Sequence, residues 1–97
     1  MLATDGQTFV GCNVEHRFRS HDVHAEVNAI TTMVASGTTS LRAILVVAER
    51  IRFTPCGACM DWIVQFGGPR CQVAFQAGRG KRVKVYTAKE LMPFYPY

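Results

Sequence analysis

The chain of 97 residues, 48% hydrophobic and 19% charged, is long enough for one domain with its own core. This composition excludes an intrinsically disordered chain. The longest apolar run, residues 43–48, is far shorter than the ~20 residues of a membrane span. A net charge of +4 is typical of an ordinary solvated surface, so binding to nucleic acid or membranes is not expected.

The first third of the chain predicts a hairpin followed by a helix. Asp5-Gly6 marks a hairpin turn, and the residues after it, Thr8–Val14, predict a strand. A helix is expected to begin near Val23, with Asp22 as its N-cap, because the Asp22 carboxylate can accept from free backbone N–H groups. Gly37 is a typical helix stop.

The rest of the chain alternates strands with helices. Leu41–Ala48 is apolar almost throughout, as in a strand covered on both faces. Further on, the pattern predicts a helix over Gly57–Phe66, strands over Cys71–Gln76 and Arg82–Thr87, and a short helix over Ala88–Met92. This order favours the α/β class, with helices on both faces of a sheet. The basic residues around the last strand favour protection of a sheet edge over a binding groove.

The cysteines point to metal or redox chemistry. The chain has Cys12, Cys56, Cys59 and Cys71, and its first residues lack the basic region and apolar core of a signal peptide. We therefore expect a cytoplasmic protein, in which closely spaced cysteines do not form structural disulfides. Cys12 and Cys71 are expected to be small apolar core residues.

Two short motifs lie at the starts of the two longer predicted helices. They are His24-Ala25-Glu26 and Pro55-Cys56-Gly57-Ala58-Cys59. Cys56 and Cys59 are three residues apart and so face one direction on a helical turn. The helix N-terminus lowers thiol pKa values, which favours thiolate ligands. Together with the His24 imidazole they form a donor set that Zn²⁺ prefers.

Three protein ligands leave the fourth position of a tetrahedral zinc for water, as a catalytic site requires. Glu26, two residues after His24, need not bind the metal and can carry protons. The pattern H-x-E with P-C-x-x-C is typical of zinc-dependent nucleobase deaminases. Alternatives remain open: a redox dithiol, a plain first-turn acid at Glu26, or a structural zinc closed by His21 as a fourth ligand.

These residues resemble the cytidine deaminase family, which includes the blasticidin-S deaminases. The resemblance implies a three-layer α-β-α fold with a mixed, roughly five-stranded sheet. It also implies a single zinc domain over residues 1–97 that lacks the family's usual N-terminal helix, and a homo-oligomer, either dimer or tetramer. The resemblance rests on Thr4-Asp5-Gly6, Gly11-Cys12-Asn13-Val14-Glu15, His24-Ala25-Glu26, Ala29-Ile30, Thr54 to Cys59 and Glu90-Leu91-Met92-Pro93.

The same resemblance implies hydrolytic deamination of a cytidine or deoxycytidine-like nucleoside to the uridine analogue and ammonia. Glu26 would protonate the ring nitrogen and then pass a proton to the leaving amine. Asn13 and Glu15 would bind the ribose, unless they only close the strand into its loop. The carbonyl of Thr54 and the amide of Ala25 would hold the amine and the ring carbonyl.

The segment from Glu15 to His24 departs from the family, because it carries Arg17 and Arg19 instead of small residues and tyrosine. These arginines are either solvated or admit an anionic or unusual substrate. A deaminase of blasticidin-S type, or one acting on another aminated heterocycle, is therefore an alternative. Another is a catalytically impaired, truncated homologue whose zinc is structural and which serves as an assembly module.

Overall fold

The computed structural model describes residues 1–50 and 53–97. No helix within these two ranges has the length and apolar character required to cross a membrane. The first half contains a short strand, a 3-10 turn over Arg19–His21, a helix and a long strand; the second half contains a helix, two strands and a last short helix. In chain order the elements are β1 (Leu2–Ala3), α1 (Ala25–Ala35), β2 (Leu41–Val47), α2 (Gly57–Gly67), β3 (Gln72–Gln76), β4 (Val83–Thr87) and α3 (Ala88–Leu91).

The strands form one mixed sheet in the order β1-β2-β3-β4. β2 and β3 are parallel, and α2 is the crossover between them, whereas β1 and β4 pair antiparallel with their neighbours. The predicted α/β class and mixed sheet are confirmed. Among the described residues the sheet has four strands, compared with the roughly five expected.

The core lies between the sheet and the two longer helices. Ile30 and Met33 of α1 and Ile63 of α2 are fully buried, as is Val73 of β3. Full burial of one such side chain contributes about 1.5–3 kcal/mol. Burial of these faces holds the starts of α1 and α2 next to each other, which positions the functional side chains described below.

The opposite face of the sheet is exposed. Leu45 and Val47 of β2 and Val83 and Val85 of β4 are between 42% and 55% accessible. The expectation that β2 is covered on both faces is therefore wrong for the described chain. Helices α1, α2 and α3 all pack against the other face, where α3 contacts α2 and its Leu91 lies near Phe75.

The segment after the hairpin turn differs from the prediction. Thr8–Val14 does not form a strand; the structure has only an isolated bridge between Leu2 and Thr8 and another between Val14 and Val23. Met1 and Phe9 still exchange two backbone hydrogen bonds. Beyond Phe9 the chain continues as a loop.

The first long helix begins later than predicted. Its N-cap is His24, not Asp22. Val23 is held in extended backbone by its bridge to Val14, and the Asp22 carboxylate instead accepts from the His16 N–H at 2.6 Å. The predicted stop is correct, because Gly37 adopts φ +94°, which favours glycine.

Candidate metal centre

Three potential metal ligands meet where α1 and α2 begin. His24 directly precedes α1, Cys56 directly precedes α2, and Cys59 lies in the first turn of α2. One ligand atom from each lies within 4.8 Å of the others. The structure thus brings together the three residues that the sequence motifs indicated.

The local geometry points all three ligand atoms at one another. His24 Nδ1 lies 3.2 Å from Cys59 Sγ and 3.4 Å from Cys56 Sγ. Cys56 Sγ also accepts from the backbone N–H of Cys59 at 3.5 Å, so it serves as the N-cap of α2. The His24 side chain makes no cap hydrogen bond to its own helix, which leaves the imidazole turned toward the thiols.

The environment of Cys59 separates it from the other two ligands. Cys59 is only 1% exposed, whereas His24 and Cys56 are exposed. Burial raises the pKa of the Cys59 thiol, and the nearby Glu26 carboxylate raises it further. A divalent cation favours the thiolate of Cys59 instead, because a metal must displace the thiol proton to bind.

An imidazole nitrogen and two thiol sulfurs are the donors that zinc prefers, so these residues fit a zinc ion. Among residues 1–50 and 53–97, these three form the group able to hold a metal. His21, considered as a closing ligand, lies elsewhere: its ring packs at a tilt against His16, with 4.9 Å between the ring centroids, and edge-on against Phe18. The described chain therefore supplies three ligands and leaves a fourth position free.

Glu26 lies in the first turn of α1, close enough to Cys59 to affect its pKa. Its side chain is 8% exposed, and it is the buried charged residue of the described chain. It also lines a cavity of about 350 Å³ between α1, β2 and the segment around Phe9. A buried carboxylate beside three metal-ligating groups is suited to proton transfer.

Asn13 and Ala25, both predicted to bind substrate, contact each other. The Ala25 N–H donates to Asn13 Oδ1 at 2.8 Å, and a two-way backbone bridge between Val14 and Val23 closes the loop between them. This bond tethers the loop of residues 10–22 to the start of α1. It also uses the amide that was expected to bind the ring carbonyl of a substrate.

Glu15 is exposed and ion-paired. Arg19 Nη1 lies 3.2 Å from Glu15 Oε2, and Arg19 Nε lies 3.1 Å from Asp22 Oδ2. The hydrogen bond to Glu15 is the main cause of a raised Arg19 pKa. Arg19 is thus engaged within its own loop, whereas the exposed Arg17 makes no ion pair in the part of the chain that the structure describes.

Thr54 is exposed and directly precedes Pro55 and the cysteine motif. It lines a further cavity together with Phe53. Of the four predicted substrate contacts, the structure therefore joins Asn13 to Ala25 and leaves Glu15 and Thr54 at the surface.

Two residues that hold the loop were not singled out from the sequence. A Cβ on Gly11 would lie 2.4 Å from Ala25 O and 2.5 Å from Ala29 N, so only glycine fits against α1 there. Asn28 Oδ1 accepts from the Cys12 N–H at 3.1 Å. A lone glycine within a strand-like pattern is a signal of close backbone approach that could have indicated Gly11. Cys12 itself is exposed, so its prediction as a core residue is wrong, whereas Cys71 is buried as predicted.

Comparison with known proteins gives one consistent result. The family model for the cytidine and deoxycytidylate deaminase zinc-binding region matches residues 1–75, which include all three ligands and Glu26. The chain is 39% identical over 94 residues to cytidine deaminase of Sporosarcina psychrophila, covering 96% of this chain and 68% of that protein. It is 39% identical over 69 residues to a probable cytidine deaminase of Dictyostelium discoideum, covering 69% of this chain and 47% of that protein.

The fold is similar to solved structures as well. The crystal structure of cytidine deaminase from Burkholderia pseudomallei matches with a TM-score of 0.84 and 33% sequence identity. That match covers 96% of this chain and 75% of the solved chain. The chain thus spans about three quarters of this structure, and 68% and 47% of the two relatives.

Proposed function

Because the chain belongs to the cytidine and deoxycytidylate deaminase family, we propose that it hydrolyses cytidine or deoxycytidine to the uridine analogue and ammonia. Residues 1–97 act as one zinc domain in this proposal. The observation that carries it is the juxtaposition of His24, Cys56 and Cys59, within 4.8 Å of one another, with the buried carboxylate of Glu26.

The three ligands hold the metal in this proposal. Cys56 and Cys59 bind as thiolates, and the helix N-terminus on which both lie stabilises their negative charge. His24 adds a neutral nitrogen, so two thiolates balance the charge of Zn²⁺. When bound, zinc supplies a Lewis acid that lowers the pKa of a water molecule to near 7.

Glu26 is the proposed catalytic residue. Its position in the first turn of α1 fixes the carboxylate, since Ala29 and Ile30 on the same helix are buried in the core. Shielded from bulk water, this group takes one proton from the attacking water and delivers it to the ring nitrogen of the base. It then takes the second proton of that water, now part of the hydroxyl on the ring carbon, and passes it to the amine as the carbon–nitrogen bond breaks.

Asn13, Glu15, Ala25 and Thr54 are the proposed substrate contacts. With Asn13 Oδ1 bonded to Ala25, the side-chain amide of Asn13 still has donors for a ribose hydroxyl. Glu15 pairs with Arg19 through Oε2, which leaves Oε1 to accept from a hydroxyl. When substrate binds, the Ala25 N–H releases Asn13 Oδ1 and donates to the ring carbonyl instead. The exposed Thr54 carbonyl accepts a hydrogen bond from the substrate amine.

The decisive experiment replaces Glu26 and measures ammonia release alongside bound zinc. We expect Glu26→Gln to lower kcat for cytidine roughly a thousandfold while zinc stays bound. Glu49→Gln, which removes an exposed acid elsewhere, should leave kcat unchanged. Normal turnover by Glu26→Gln would contradict the proposal, as would zinc-loaded protein that releases no ammonia from any nucleoside.

A comparison of five compounds tests which class of substrate the protein deaminates. Cytidine, deoxycytidine, cytosine, blasticidin S and cytidine monophosphate should be compared for ammonia release. We expect the two nucleosides to react best, because Asn13 and Glu15 offer contacts to a sugar. Preference for blasticidin S or for free cytosine would overturn the nucleoside assignment and retain the metal chemistry.

We also propose that copies of the chain assemble through the exposed sheet face. Leu45, Val47, Val83 and Val85 form a bare apolar surface there, and such surfaces mark association sites. Light scattering should give a dimer or tetramer that Val85→Lys dissociates. Val34→Lys, on the outer side of α1, is the matched control. A wild-type monomer at all protein concentrations would refute this assembly.

The cytoplasm is the proposed location. All four cysteines are free, and thiols that must bind zinc persist best in a reducing compartment. Detection of the tagged protein in separated cell fractions tests this location. Recovery of the protein only from an oxidising compartment would contradict it.

A further inference from the structure

A second cavity lies between α3 and the helix-facing side of β3 and β4. It has a volume of about 410 Å³, within the usual range of small-molecule sites. Three aromatic rings line it: Phe53 and Tyr86 flank Phe75, with ring centroids 5.8 Å and 5.7 Å from that of Phe75. Leu91 of α3 adds a further apolar side chain.

Two cations line the same cavity. Lys84 pairs with Phe75 in the β3–β4 register, so both side chains lie on the helix-facing side of the sheet. Arg82, which precedes β4, also lines the cavity. Neither residue forms an ion pair within residues 1–50 and 53–97, and the described residues that line the cavity include no Asp or Glu.

We propose that this cavity binds a small planar aromatic anion, of which a nucleoside 5′-monophosphate is the nearest chemical class. The base stacks on Tyr86 and its aromatic neighbours, and the phosphate pairs with Arg82 and Lys84. Apart from Thr54, no residue of this site belongs to the proposed deamination site. The two proposals therefore stand on separate observations.

A competing explanation is that the charges only protect an edge strand. Among the described residues β4 is the last strand of the sheet, and lysines on edge strands block unwanted pairing between sheets. Arg79 and Lys81 in the preceding turn fit that role equally well, and neither lines the cavity. The two explanations make different predictions: only if the cavity is a binding site do Arg82 and Lys84 contribute to the affinity for a nucleotide.

Calorimetric titration of the zinc-loaded full chain tests the proposal. The probes are uridine 5′-monophosphate, uridine, ribose 5-phosphate and inorganic phosphate. We expect the nucleotide to bind about tenfold more tightly than each of the others. If inorganic phosphate binds as tightly as the nucleotide, the proposed stacking of the base is refuted. If uridine binds as tightly as the nucleotide, the proposed pairing of the phosphate with Arg82 and Lys84 is refuted.

A pair of double variants locates the binding. Arg82→Gln with Lys84→Gln should weaken nucleotide binding about tenfold. Arg79→Gln with Lys81→Gln removes the same charge from the neighbouring turn and should leave that affinity unchanged. If both double variants weaken binding equally, the attraction is a general charge effect and the site is refuted.

Binding at the zinc centre must be told apart from binding here. Nucleotide-induced NMR shifts should appear at Tyr86 and Lys84, and shifts confined to Ala25 and Glu26 would overturn the proposal. Arg82→Gln with Lys84→Gln should still release ammonia from cytidine at the wild-type rate. Failure of the deamination proposal would remove that activity without affecting the shifts at Tyr86.

Discussion

The metal centre and the loop of residues 10–22 are adjacent but are held in different ways. Cys59 and Glu26 are buried, on helices whose next turns carry the fully buried Ile63 and Ile30. Residues 12–21 of the loop are all exposed. That loop is tethered by one backbone bridge and two asparagine side chains, and within it Arg19 forms ion pairs with Glu15 and Asp22. The groups proposed to perform the chemistry are thus held by helices that pack in the core, whereas the groups proposed to bind the sugar are held by a few polar contacts.

The largest effect should follow from breaking the metal centre. Cys59→Ser replaces the buried ligand that lies 3.2 Å from His24 Nδ1, and we expect nearly complete loss of bound zinc. Because metal binding contributes to folding free energy, the variant should also melt at a lower temperature. Elemental analysis after gel filtration and thermal denaturation with and without a chelator are the measurements.

Cys12→Ser is the matched control, since Cys12 is exposed and lies on the loop. It should keep both zinc and melting temperature. A chelator should destabilise the wild type and Cys12→Ser but not Cys59→Ser. Full zinc occupancy in Cys59→Ser would show that the three-ligand centre is wrongly assigned.

A smaller effect is expected where the loop touches the helix. Gly11→Ala places a Cβ against the backbone of α1 at Ala25 and Ala29, so the free energy of unfolding should fall by about 1–3 kcal/mol. Gly57→Ala is the comparison, because a Cβ there meets open space. Equal stability of the two variants in urea titrations would mean that the loop does not rely on this close approach.

This contrast also explains what the sequence could predict. His24, Cys56 and Cys59 were predictable because each belongs to a short motif at a helix start, where local rules suffice. The helix stop at Gly37 was predictable for the same reason. These features depend on neighbours within a few residues, and the structure shows the three ligands close together as the motifs indicated.

Features that depend on distant partners were not predictable. Thr8–Val14 has the alternation of a strand, but a strand also needs a neighbouring strand to pair with. The structure shows only isolated bridges at Thr8 and Val14 and the hydrogen bonds between Phe9 and Met1. Asp22 is a good N-cap by type, yet it bonds to His16 and Arg19. The exposed face of β2 has apolar residues as a covered face would, so hydrophobicity alone could not tell the two apart.

A prediction of intermediate size separates tethering from recognition. Asn13→Ala removes the acceptor for the Ala25 N–H, and Asn28→Ala removes the acceptor for the Cys12 N–H. Loss of either bond should cost about 1 kcal/mol of stability. Only Asn13→Ala should also raise KM for cytidine, since only Asn13 is proposed to contact the ribose. Equal KM changes in both variants would assign Asn13 a purely tethering role.

The smallest effect is expected at the ion pair within the loop. Arg19 is 69% exposed where it meets Glu15, so Arg19→Gln should have little effect on the free energy of unfolding. Salt screens exposed pairs, and the difference should therefore vanish at high ionic strength. Arg17→Gln, which removes the same charge without a described ion pair, controls for net charge. The two variants should differ in KM, because only Arg19→Gln releases Glu15 from its partner. If they shift KM equally, the loop acts on the substrate through its charge alone, and Glu15 is not positioned by Arg19.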